Sequence, residues 1–235
     1  IAYLEFITGK KRRIWTGALL LSAWGLVAQA GWSAPAGSTR PAADTRPAVV
    51  DRAVIIPVSG EITDITFESI KRRLKPVDEE DIEFVIFELN TPGGLLSATL
   101  DICDTIKRLR DDGVTVYAWI NNMAYSAGTI IALAADGIIM SNNATIGDCQ
   151  PIMITGTGAT AIPESIEAKA TSPLLAELRD SVRRNRYDWY MILSLVRPEM
   201  QIFWLTNAAT GEKRFATTRE RDELFGITDS EDSQD

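Results

Sequence analysis

The chain has 235 residues, 46% of them hydrophobic, and a formal net charge of −8 with a pI near 4.8; that is ample apolar material for one folded domain, and the acidic balance argues against a nucleic-acid partner. It contains no histidine, which excludes a Ser-His-Asp triad, a Cys-His pair and HExxH zinc sites and leaves Lys, Asp, Glu or Tyr as any general base. Its two cysteines, Cys103 and Cys149, have no CxxC spacing, so they read as two separate buried thiols, with a disulfide as the alternative outside the cytoplasm; no metal and no cofactor is expected.

The elements follow in chain order. Residues 1–34 carry a basic run, KKRR at 10–13, and then an apolar stretch from Ile14 to Ala34. This reads as a secretory signal peptide, with an uncleaved membrane anchor as the alternative. Either one makes the protein membrane-associated or exported, with the folded domain outside the cytoplasm. Residues 35–52 are rich in Pro, Ala and small polar residues and read as a linker. A folded domain is expected over 53–227, followed by an acidic tail at 228–235. The chain begins at Ile1 and closes on that tail, so a piece of a longer protein, or a chain read from a misplaced start, is expected.

Within the domain, AVIIPV (53–58) predicts a strand. Residues 64–74 predict an amphipathic helix with Ile65, Ile70 and Leu74 on one side. EFVIFEL (83–89) predicts a second strand and NTPGG ends it. Residues 95–110 place Leu96, Leu100, Cys103, Ile106 and Leu109 at helical spacing. VTVYAWI (114–120) is a third strand, 127–135 an apolar helix and GIIMS (137–141) a short strand. A long helix is expected over 164–186, with Pro173 as a place where it could break. Residues 188–196 continue as helix, and 201–218 predict a hairpin. Alternation of apolar strands with helices implies an α/β fold whose parallel sheet is covered by helices.

Three short stretches carry candidate chemistry. TPGG (91–94) lies at the carboxyl end of a predicted buried strand, where paired glycines let backbone amides face a ligand. A plain strand-to-helix turn is the simpler use of those residues. Ser126, in YSAGT, stands where a helix should begin, a place with free amides and a dipole that favours negative charge. An ordinary N-cap serine would look the same. Lys169 is the only lysine between residues 108 and 212. Partial burial would favour its neutral amine, which can take a proton from serine; a solvated surface lysine is the ordinary alternative.

Taken in order, VSGEI (58–62), ELNTPGG (88–94), YSAGTIIALAAD (125–136) and NNATIGDCQPI (142–152) resemble the ClpP-class membrane serine proteases. The NfeD type, whose genes often accompany stomatin-like proteins, is the nearest subgroup, and signal peptide peptidase A is more distantly similar. The resemblance covers residues 53 to 195. It implies a ClpP/crotonase-like fold of repeated β-β-α units and a Ser-Lys dyad. It implies Ser126 as nucleophile, Lys169 as general base, and the backbone of Gly94 and Ala127 as oxyanion hole. Gly93 shapes the turn, and Thr145 is a candidate to orient the lysine amine. The implied substrate is a peptide or a membrane protein. A stomatin-like partner and a homo-oligomer also follow from the resemblance. Two other readings stay open: a non-catalytic scaffold that binds a membrane partner, and a crotonase-type acyl-CoA enzyme, although no carboxylate stands in YSAGT or TPGG.

Overall fold

The computed structural model describes residues 3–5, 52–79, 82–155 and 158–225. The expected leader or anchor, the linker and the acidic tail lie outside these residues, apart from Arg52 and a short strand, β1 (Tyr3–Glu5). The domain proper opens on β2 (Ala53–Ser59). It continues through α1 (Asp64–Glu79), β3 (Phe84–Thr91), α2 (Leu96–Asp111), β4 (Thr115–Tyr125), α3 (Ala127–Ala134) and β5 (Gly137–Met140). These strands form one parallel sheet in the order β2-β3-β4-β5, and β6 (Thr145–Gly147) also pairs with β4. The α/β fold expected from strand–helix alternation is therefore observed.

Alternation along the strands explains which face the helices cover. In β3, Val85, Phe87, Leu89 and Thr91 are buried, while the residues between them are only half-buried. Ile56 and Val58 of β2 and Val116, Ala118 and Ile120 of β4 continue the buried face, as a period of two requires. Helices α1, α2 and α3 pack there around Ile70, Ile102, Ile106 and Ile131. The opposite face is not covered: Ile55 is 55% and Ile139 51% exposed. The sheet expected to be covered by helices has that cover, among the described residues, on one face only. The helix phase of α1 also differs from expectation. Phe67, Ile70, Leu74 and Val77, spaced three and four apart, face the core, and Ile65 falls off that stripe at 79% exposed.

Two proline positions are accommodated. Pro76 sits inside α1, and Pro173 sits inside α4 (Glu164–Asn185), which runs without a break. Between the sheet and α4 lies a two-stranded hairpin that the sequence pattern did not predict, β7 (Ile152–Thr155) and β8 (Gly158–Ala161). After α5 (Trp189–Val196), the predicted C-terminal hairpin is present as β9 (Ile202–Thr206) and β10 (Lys213–Thr217), followed by α6 (Thr218–Phe225). β1 pairs with β9.

α4 is fastened to α2 by charge as well as by Leu174 and Leu178. Lys107 is buried on α2, and its ammonium lies 2.7 Å from both Glu177 and Asp180 of α4. The Lys107 hydrogen bond is the main reason the Asp180 carboxyl is held down to about 2. Removing one partner of a buried ion pair leaves uncompensated charge, which costs about 3 kcal/mol or more. Lys107→Met is therefore expected to lower Tm by about 6–12 °C in a domain of this size, measured by thermal denaturation at pH 7. The folded carboxyl of Asp180 sits below its unfolded value of about 3.9, so its contribution is present above pH 4 and lost as pH falls towards 2. Acid denaturation below pH 4 should accordingly be shallower in Lys107→Met than in the wild type.

Candidate active site

The carboxyl ends of β2, β3, β4 and β6 meet at one place, and the candidate residues of the first two motifs lie there. Strand β4 brings Ser126 to it by a change of partner. Its first half pairs with β5 through Tyr117–Ile120, and its second half pairs with β6 through Met123–Tyr125. The register against β3 slips at the same point, because Leu89 faces Ile120 but Thr91 faces Ala124. Asn121 and Asn122 are the extra residues of this bulge, and a bulge bends and re-aims its strand. These two asparagines read as loop in the sequence, which is why the strand was expected to stop at Ile120. Asn121 donates to the Glu88 carboxylate at 2.7 Å, holding the bulge to β3.

Ser126 is the single residue between β4 and α3. Its backbone has φ 49° and ψ −114°, outside the extended region of an ordinary N-cap. Its hydroxyl makes no capping bond. A non-glycine residue at positive φ costs free energy and persists only where its surroundings enforce it. Strand-to-helix turns of this strained kind expose a serine hydroxyl in acyl-transfer enzymes. Here Ser126 N–H donates to Gly147 O at 2.9 Å, and Ser126 O accepts from Ile130 N–H at 3.2 Å. The capping explanation for Ser126 therefore fails on geometry.

The TPGG turn abuts this serine. A Cβ built on Gly93 would lie 2.8 Å from Ser126 Cβ and 3.2 Å from its Oγ. Gly93 is buried with φ +119°, so only glycine lets the two segments touch. A Cβ on Gly94 would come within 2.1 Å of Ile62 O, because Ile62 N–H donates to Gly93 O and Leu95 N–H to Ile62 O. Leu95 N–H is thereby occupied, and Gly93 N–H donates to Thr91 Oγ1, but neither bond uses Gly94 N–H. Among the described residues no acceptor pairs with Gly94 N–H or with Ala127 N–H, the first amide of α3. Gly94 is also exposed. Two free amides thus follow directly on the Gly93–Ser126 contact, one on each segment.

The remaining candidates are placed differently. Thr145 donates its hydroxyl to Tyr125 Oη at 2.8 Å, next to the serine in sequence. Lys169 is exposed on the second turn of α4, the ordinary position of a surface lysine. The packed side of α4 runs through Thr171, Leu174, Leu178 and Ser181. Glu167, Thr171 and Leu175 line a cavity of about 210 Å³ together with Gln150, Pro151 and Val196. Lys169 stands about 200° around the helix from both Glu167 and Thr171, and so faces away from that side. Among the described residues it makes no ion pair or hydrogen bond, with Ser126 or with any other group. The structure brings Ser126, Ala127, Gly93 and Gly94 together, and Lys169 makes no bond to any of them.

Both cysteines are free and buried. Cys149 lies beneath the turn, its Sγ 3.8 Å from Ser126 O, and burial pushes its thiol up to about 11. Burial likewise raises the Cys103 thiol well above its ordinary value. A protonated thiol is a poor nucleophile, so neither competes with the serine. Among the described residues no three carboxylates or thiols gather as a metal site.

Residues 52–223 match the family model described as NfeD1b, N-terminal domain. The membrane protein NfeD1b of Bacillus subtilis is 30% identical over 146 residues, covering 62% of this chain and 31% of the relative. The membrane-bound protease PH1510 of Pyrococcus horikoshii is 31% identical over 102 residues, covering 42% of this chain and 22% of the relative. The proteolytic subunit of the ATP-dependent Clp protease of Streptococcus agalactiae is 35% identical over 118 residues, covering 49% and 59%. The chain thus spans less than a third of the length of the first two. Among solved structures, a serine-to-alanine mutant of the 1510-N membrane-bound stomatin-specific protease superposes with a TM-score of 0.56 at 20% identity, covering 74% of this chain and 77% of that one. A lysine-to-alanine mutant of the same protease, in complex with a substrate peptide, gives 0.56 at 22% identity, covering 73% and 71%. These two show a shared fold.

Proposed function

This chain belongs to the NfeD1b N-terminal domain family, and on that premise we propose that it is a serine endopeptidase with Ser126 as nucleophile and Lys169 as general base. The observation that carries the reading is the strained, uncapped Ser126 pressed against Gly93 with two unpaired amides beside it. That arrangement suits an oxyanion developing on a carbonyl attacked by Ser126 Oγ. As Oγ bonds to the carbonyl carbon, its proton passes to the Lys169 amine. Gly94 N–H and Ala127 N–H receive the oxyanion. The C–N bond then breaks, the leaving amine takes the proton from Lys169, and water hydrolyses the acyl-serine by the same route in reverse.

Lys169 must move or be covered to play this part. Residues 165–170 are all exposed, and the buried anchors of α4 begin only at Thr171. Pro173 has no N–H to give the carbonyl of Lys169 four residues back, which loosens this end of the helix. A bound peptide or a second copy would cover the amine. The proposed substrate is a membrane-associated protein, with a stomatin-like partner suggested by the similarity to the stomatin-specific 1510-N protease. The uncovered sheet face, with Ile55 and Ile139, suits assembly into a homo-oligomer. Membrane association rests on the family, since among the described residues no helix is long and apolar enough to cross a membrane.

Exposure of Lys169 favours one rival, a scaffold that binds a membrane partner without catalysis. Treatment with a fluorophosphonate followed by peptide mass mapping separates the two. A serine peptidase gives one modified peptide, the one containing Ser126. A protein that stays unlabelled, or is labelled at other serines equally, is not one.

A further inference from the structure

We propose that Thr91 and Thr129 are positioning residues for acyl transfer, their buried hydroxyls fixing the two backbone segments that carry Ser126 and the oxyanion amides. The inference rests on the serine-peptidase reading. It starts from an unusual pair of burials. Thr91 and Thr129 are both 0% exposed, and a buried hydroxyl is costly unless it is bonded. The other buried polar side chains have local uses. Thr99 and Thr171 bond back to carbonyls of their own helices, and Lys107 and Ser181 join the α2–α4 charge network. Only Thr91 and Thr129 spend their hydroxyls on the segments that flank Ser126.

Thr91 Oγ1 accepts from Gly93 N–H at 3.1 Å and can donate back to Gly93 O at 3.3 Å. Of the two glycine amides, the one at Gly93 is thereby occupied and the one at Gly94 stays free. The methyl group of Thr91 reaches the other segment: a Cβ on Gly128 would lie 2.6 Å from Thr91 Cγ2. Thr91 therefore sets the spacing between the TPGG turn and the start of α3. Thr129 acts from beneath. Its Oγ1 accepts from Gly147 N–H at 2.9 Å and lies 2.7 Å from Ala124 O and 2.8 Å from Gly147 O. Gly147 O is the acceptor of Ser126 N–H. One hydroxyl thus ties the end of β4 to the residue that holds the strained serine. Together the two threonines bind both halves of the site from fully buried positions.

The test compares Thr91→Val and Thr129→Val with Thr91→Ser and Thr129→Ser. Peptide hydrolysis is measured per active site, counted by fluorophosphonate titration, with Ser126→Ala as the reference for background. Valine keeps the shape and removes the hydroxyl; serine keeps the hydroxyl and removes the methyl group. Each valine variant is expected to lose about 30-fold in kcat with KM changed less than about 2-fold, short of the 10²- to 10³-fold that removing an oxyanion donor costs. Each serine variant should stay within about 3-fold of wild-type kcat. Valine variants that keep wild-type kcat per titrated site would overturn the proposal. So would folded serine variants that lose kcat as the valine variants do, and this arm decides the matter even if a valine variant fails to fold. Wild-type hydrolysis that survives Ser126→Ala would instead sink the peptidase reading itself.

Discussion

Ser126→Ala is expected to lower kcat for peptide hydrolysis by at least about 10⁴-fold while leaving Tm within about 2 °C of wild type. The two halves of that expectation have separate causes. The loss of rate follows from removing the only atom that can form the acyl intermediate. Neither buried thiol can replace it, since Cys149 sits at about 11 and the Cys103 thiol is raised as well. The unchanged stability follows from the absence of a capping bond. A true N-cap serine is worth about 1 kcal/mol to its helix, but the Ser126 hydroxyl bonds nothing in α3. Alanine at φ 49° bears the same strain as serine. Thermal denaturation and steady-state kinetics on one preparation check both parts. A fall in Tm of several degrees would mean that the serine is structural after all.

Lys169→Ala carries the second large effect. As the general base it is expected to cost about 10³- to 10⁴-fold in kcat, the upper end of what positioned proton transfer supplies. It should do so at no cost in stability, because Lys169 is exposed and makes no ion pair among the described residues. Lys107 offers the contrast. It is buried between Glu177 and Asp180, so its replacement should lower Tm and leave kcat per folded molecule nearly unchanged. Two lysines with opposite signatures, one kinetic and one thermodynamic, separate a base from a structural cation.

The parallel sheet and the position of Ser126 were legible because they rest on local patterns. Apolar runs at 53–58, 83–89 and 114–120, separated by helical spacing, could pack in few other ways. Paired glycines at the end of a strand pointed to a backbone that something must approach closely, and Gly93 does meet Ser126. What stayed hidden depends on contacts distant in sequence. The bulge at Asn121–Asn122 exists because β4 exchanges β5 for β6, and no single strand records its partners. Thr91 and Thr129 escape a reading of the sequence for the same reason. A threonine in a strand end or a first helical turn is ordinary, and only its partners at Gly93 and Gly147 distinguish it. A segment with no other lysine or arginine leaves partial burial of Lys169 open, but the helix phase, set by Thr171, Leu174 and Leu178, turns it outward.

The most direct measurement is the rate at which a fluorophosphonate labels Ser126, followed against pH in the wild type and in Lys169→Ala. Attack by Ser126 Oγ with proton transfer to the Lys169 amine predicts a wild-type rate that rises with pH and depends on Lys169. In Lys169→Ala the same rate should be at least about 10²-fold lower and without that rise. Labelling of Lys169→Ala at the wild-type rate, with the same pH dependence, would contradict the dyad.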